Sequence, residues 1–176
     1  IRIYGLLGGI VLSLSNICFI LSMTSTTVAN TVFTISLIPF LTAFFSFLIL
    51  KEKLAKITIF TMLVAFLGVL IMFYGVFLIG ALWGNVLALF AAICFSIFTI
   101  ILRINKNIDM LPCLLMSGVI AMALSLFQTM GSLQISSNNF FLCFILGAVL
   151  SGFVNCCFVF ATRNLIAAEV TLFFFI

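Results

Sequence analysis

The side chains in this chain that could do chemistry are mostly amides and hydroxyls set in apolar surroundings. Of 176 residues seven are basic, three are acidic and none is histidine. Asn16 and Asn155 fall near the middles of apolar runs, and Ser36, Ser96 and Thr99 lie inside others. Asn85 follows Trp83 near the start of a further run. An amide or hydroxyl in hydrocarbon must find a hydrogen-bond partner. That partner is either a neighbouring helix, in a contact worth about 0.6–2 kcal/mol, or a polar solute passing between helices. Both readings stand for Asn16 and Asn155. Without histidine, imidazole metal sites and histidine-based catalysis are excluded within these residues. Glu52, Asp109 and Glu169 are far apart in sequence, so no catalytic carboxylate pair is expected, and neither is a metal, a cofactor or an enzyme activity. The six cysteines lie in apolar runs and read as small packing residues.

Two further features shape any site. Pro39 stands mid-run in "ISLIPFLTAF". It cannot donate to the carbonyl of Ile35, and its ring pushes that carbonyl aside. The result is either a kink or hinge that presents backbone polarity, or a static bend repaired by Ser36 or Thr34. The second feature is "KEKLAKI": Lys51, Glu52, Lys53 and Lys56 fall within six positions. A lysine at a bilayer centre costs about 2.5–3.5 kcal/mol, so this knot reads as an aqueous corner between two spans.

The elements that must hold these residues follow from composition. Hydrophobic residues make up 66% of the chain and charged residues 6%, against about 45–50% and about 25% in a soluble domain. This is an integral membrane protein, and its long uniform apolar runs favour helices over barrel strands. A crossing needs about 20 apolar residues. Six segments qualify, at 3–22, 31–50, 57–79, 83–102, 111–129 and 140–161, and a seventh begins near 168. Threading them back and forth puts Arg2, Lys51, Lys53, Lys56, Arg103, Lys106 and Arg163 on one face and no basic residue on the other. The positive-inside rule makes that face cytoplasmic. Small residues spaced by four (Gly5, Gly9, Ser13; Gly84, Ala88, Ala92, Ser96; Ser117, Ala121, Ser125) mark close helix–helix contacts.

The chain also repeats itself. Residues 7–30 resemble residues 146–169 at an offset of 139, pairing Gly8 with Gly147, Asn16 with Asn155, Cys18 with Cys157 and Phe19 with Phe158. The first copy runs away from the basic face and the second runs toward it. Inverted repeats of this kind surround a midplane site in many secondary transporters.

Residues 22–72, "SMTSTTVANTVFTISLIPFLTAFFSFLILKEKLAKITIFTMLVAFLGVLIM", resemble the EamA-type module of the drug/metabolite transporter superfamily. The likeness rests on the small-residue lead-in Ser22 to Ala29, the central Pro39, the Glu52 and Leu54 loop and the late Gly68. Residues 80–103 and 161–170 look like parts of a second such module. The chain departs from the pattern at Ile38, where a polar residue is common, and at Lys51, where glycine is common. The resemblance implies an all-α, polytopic membrane bundle of two inverted five-helix repeats. Residues 1–79 would close the first repeat and 80–176 open the second, with the first two helices and the last lying outside this chain. It implies a secondary transporter, expected to export small organic metabolites or drugs by alternating access. An uptake carrier or exchanger for a nucleotide-like or amino-acid-like metabolite is the alternative within the class. A non-transporting membrane subunit or membrane-embedded enzyme is the alternative outside it. Substrate contacts are expected at Asn16, Ser36, Asn85, Ser96, Thr99 and Asn155, and a kink or gate at Pro39. The expected partners are the lipid bilayer, a small-molecule substrate, a proton or solute counter-flow and a second copy of the chain; nucleic acid is not expected. The expected location is a bacterial inner membrane.

Overall fold

The computed structural model describes residues 2–51, 60, 64, 67, 68, 71, 82–128 and 137–175. Every regular element among them is helical. Helix α1 spans Arg2–Ser25, α2 Val28–Ile35 and α3 Ile38–Phe45, which a π-helical stretch, Ser46–Leu50, extends. Helix α4 spans Leu82–Ile104 and α5 Leu111–Gln128. Helix α6, Ser137–Phe144, passes through a second π stretch, Ile145–Gly152, into α7, Phe153–Asn164, and α8 spans Ala167–Phe175. Among the described residues four runs are long and apolar enough to cross a membrane: Ile3–Ser25, Val28–Leu50, Leu82–Ile104 and Asn139–Asn164. Leu111–Phe127 is a shorter apolar helix. The chain is thus an all-helical, multi-pass membrane protein. The span expected at 57–79 lies mostly outside the described residues, as do Glu52, Lys53 and Lys56.

Helix α4 is the most buried of the four long runs, and the others are arranged around it. Its face of small residues explains why. Gly84, Ala88, Ala91, Ala92 and Ser96 are all buried, and with no bulky side chain between them the helix axes come close. Helix α1 runs antiparallel to α4. A side chain at Gly8 would meet Ile101, the Ser15 hydroxyl donates to the Ala91 carbonyl at 2.9 Å, and the Ser22 hydroxyl donates to the Gly84 carbonyl at 2.7 Å. Gly8, Ser15 and Ser22 are seven apart, so one stripe of α1 stays against α4 along its length. Helix α5 packs on the adjoining face of α1: a Cβ at Gly8 would meet Cys113 as well as Ile101, and one at Gly9 would sit 3.0 Å from the Met116 Cβ and 3.2 Å from the Cys113 carbonyl. Helix α7 runs with α4: the Phe95 and Phe158 rings are 5.4 Å apart, and Phe95 also meets Phe98 at 5.9 Å. The core formed here joins Leu12, Ile38, Phe95, Phe98, Phe158 and Val170 from five helices.

Two consequences follow for the charges and for the repeat. The ends of α3, α4 and α7 come to one face, which carries Lys51, Arg103, Lys106 and Arg163. The copies 7–30 and 146–169 run in opposite directions across the bundle, since α1 opposes α4 and α7 follows it.

The second span is not one continuous helix. It breaks at Ser36 and Leu37, and Pro39 takes the first turn of α3, where its missing N–H costs nothing. The Ser36 hydroxyl donates to the Phe33 carbonyl at 2.6 Å and the Thr34 hydroxyl to the Asn30 carbonyl at 2.8 Å. Both bond one turn before the break, so neither side chain makes the repair of the Ile35 carbonyl that the sequence suggested for it.

Candidate functional site

Between α1, α5 and the α6 run lies an apolar cavity of about 780 Å³. Helix α1 contributes Asn16, Ile17, Ile20 and Leu21, a helical spacing that keeps one face on the cavity. Helix α5 contributes Ala121, Met122 and Ser125. Phe140 and Phe144 come from α6, and Gly147 and Ala148 from the π stretch that follows it. A π-helical turn is wider than an α-turn and recurs at functional sites. Here it presents two small residues, which leave room where larger ones would fill the groove. Among the described residues the lining contains one amide, one hydroxyl and no charged side chain. Such a surface can hold an apolar body by contact, with the Asn16 amide and the Ser125 hydroxyl as its polar groups.

The repeat-related partner is placed differently. Asn155 is not among the lining residues. Its Nδ2 donates to the Ser151 carbonyl at 2.8 Å and reaches the Ser151 hydroxyl at 3.4 Å, both within its own helical run. The two asparagines that the sequence treats as equals are therefore not brought into one cavity.

The remaining expected site residues fall elsewhere. Ser36 is exposed, with its hydroxyl on Phe33. Ser96 and Thr99 are completely buried on α4. The Ser96 hydroxyl donates to the Ala92 carbonyl at 2.8 Å and lies 3.3 Å from the Ile38 carbonyl, just past the break. The Thr99 hydroxyl donates to the Phe95 carbonyl at 3.0 Å. Bonding back to the preceding turn is how serine and threonine satisfy themselves inside a helix. Asn85 is also buried, 1% exposed, but neither its Oδ1 nor its Nδ2 has a hydrogen-bond partner among the described residues. Thr42, one turn past Pro39, is likewise buried with an unpartnered hydroxyl among the described residues.

Three polar groups that sequence reading passed over prove to join helices. Ser15 and Ser22 tie α1 to α4, and Thr31 lies 2.9 Å from Ser22, oxygen to oxygen. The seven-residue spacing of Gly8, Ser15 and Ser22 was the available signal. A search for residues four apart does not find it. On the basic face, Arg103 donates to the carbonyls of Thr162 and Arg163 at 3.2 and 3.4 Å. A guanidinium suits the last carbonyls of α7, where the helix dipole is negative. Arg163 in turn pairs with Asp109 at 2.6 Å, and Asp109 accepts from the Leu111 amide at the start of α5. Asp109 thus links the end of α7 to the start of α5.

Residues 1–74 match the EamA-like transporter family. Comparison with curated proteins and with solved structures returns no match.

Proposed function

Starting from an EamA-like transporter module over residues 1–74, we propose that the protein moves a small organic solute across a membrane by alternating access, in the export direction. The family match carries this reading. The opposed directions of the copies 7–30 and 146–169 support it, because two inverted units can exchange conformations about one site. We place the two modules at 1–79 and 80–176. The basic face is cytoplasmic on the positive-inside rule, and the membrane is a bacterial inner membrane. Movement is driven by a proton or solute gradient. The Asn16 cavity is the part of the path open here. Its uncharged lining favours a solute with a large apolar surface and few hydrogen-bonding groups.

The test is flux. The full-length protein, folded and monodisperse, is reconstituted into liposomes and offered a panel of neutral, cationic and anionic solutes. Saturable movement of at least one solute is expected, with neutral apolar compounds favoured over nucleotides. No movement of any solute by verified folded protein overturns the transport reading.

A further inference from the structure

Helix α4 is clasped at both ends, by corners that the sequence repeat relates. At the face opposite the basic one, the Ser22 hydroxyl gives its single proton to the Gly84 carbonyl at 2.7 Å. The 2.9 Å bond between Ser22 and Thr31 must then be donated by Thr31. A chain of protons runs from α2 through α1 to α4. The same junction is sealed by contact: a Cβ at Gly84 would fall 2.6 Å from the Thr26 Cβ and 2.9 Å from the Ser25 backbone. At the basic face, Arg103 reaches the carbonyls of Thr162 and Arg163 where α7 ends. At the offset of 139, Ser22 and Thr31 correspond to Ala161 and Val170. Equivalent corners of the two copies thus hold opposite ends of one helix, the first through hydroxyls and the second through a guanidinium.

We propose that these clasps are the two gates of the transport cycle, and that Asn85 is the polar side chain exposed when the Ser22–Gly84 clasp parts. The proposal rests on the transport reading above. Each clasp includes hydrogen bonds to backbone carbonyls, which water replaces readily once the helices separate. Asn85 sits one residue from Gly84 and is buried with no partner among the described residues. A desolvated, unpaired amide penalises the closed junction and is relieved when water enters. The closed clasp is therefore balanced against a built-in cost. Helix α4 is a single 23-residue helix, so a tilt that parts one end presses the other home. Both clasps are closed in this structure.

The experiment reads exposure directly and needs no solute. In the full-length protein with its native cysteines replaced, Asn85→Cys is labelled by a membrane-impermeant maleimide applied to the face opposite the basic one. Weakening the near clasp by Ser22→Ala, or by Thr31→Val, raises the labelling rate about five-fold or more, and weakening the far clasp by Arg103→Gln lowers it by a similar factor, the span expected of coupled sites. The variants are compared at equal folded, inserted yield, so opposed signs of shift separate gating from damage. Equal rates in all variants, or shifts of the same sign, overturn the proposal. Unchanged labelling in a protein that still catalyses flux removes the clasps and leaves the transport reading. Opposed shifts in a protein without flux leave the clasps and remove that reading.

Discussion

Lys51 closes the π stretch with φ at 55°, in the left-handed region. A Cβ there meets the following carbonyl, at a cost of about 1–2 kcal/mol, whereas glycine adopts this conformation freely. The glycine expected here from the resemblance to the EamA-type module would suit this turn. Lysine supplies a charge at the corner instead, and accepts the strain. Lys51→Gly is therefore expected to stabilise the folded protein by about 1 kcal/mol, and Lys51→Val to destabilise it further, as read by thermal unfolding in detergent. No gain for glycine would show that the turn is relaxed. The asparagines are separated by the same kind of detail. Asn16 faces the cavity, while the Asn155 amide is committed to Ser151 in its own helix. Asn16→Leu is expected to cut flux at least ten-fold with folded yield retained, a loss of about 1.4 kcal/mol or more in solute binding. Asn155→Leu is expected to leave flux within about two-fold, because an amide bonded to its own helix contributes little between helices. Equal loss of flux in both would restore them as an equivalent pair.

At the scale of elements, spacing decides which small residues matter. A Cβ at Gly84 collides with Thr26 and Ser25, one at Gly9 crowds Met116 and Cys113, and one at Gly118 or Gly5 meets nothing within 4 Å. Gly84→Ala is expected to cost about 1–3 kcal/mol by overpacking, and Gly118→Ala to be neutral or to gain up to about 1 kcal/mol through helix propensity. Thermal unfolding of the two variants side by side makes the comparison, and a similar loss in both would remove close packing as the reason for Gly84. Much of this level was legible in the sequence. The spans follow from hydropathy summed over about 20 residues, a signal that survives local irregularity, and the ladder from Gly84 to Ser96 marks the buried face of α4. Pro39 announced a disturbance, and the span is interrupted just before it by a two-residue turn, Ser36 and Leu37, whose dihedrals stay right-handed. Less legible was anything that depends on depth between helices. Whether Asn16 or Asn155 turns to a cavity, and which carbonyl Ser22 reaches, is set by the vertical offset of two helices. One sequence states that offset only through the seven-residue spacing of Gly8, Ser15 and Ser22. The π stretches were not legible either, because α and π turns accept the same apolar residues.

For the molecule as a whole, the distribution of charge makes a claim about direction that the bundle geometry sharpens. Helices α3, α4 and α7 all end on one face, and there Lys51, Arg103, Lys106 and Arg163 gather with Asp109. The opposite corner, from Ser22 to Asn30, is built from hydroxyls and one amide, which satisfy one another and the nearby backbone without any charge. Moving the basic face through the hydrocarbon core would expose each lysine and arginine to a cost of about 2.5–3.5 kcal/mol, while the hydroxyl corner crosses far more cheaply. Insertion is therefore expected to leave the basic face on the cytoplasmic side. Single cysteines test this in intact cells, at Lys106 on the basic face and at Thr24 on the hydroxyl corner, both exposed. Lys106→Cys is expected to stay unlabelled by an impermeant maleimide until the membrane is opened, and Thr24→Cys to label at once. The reverse pattern would overturn the orientation. It would also exchange the faces assigned to the two clasps, so that Ser22 and Gly84 would guard the cytoplasmic side and Arg103 the other. Labelling of both positions from outside would mean a mixed topology, which is the outcome expected if the charge difference were too small to bias insertion. The seven-to-none division of basic residues argues against that outcome, and neutralising Lys51, Lys53 and Lys56 together is the change expected to produce it.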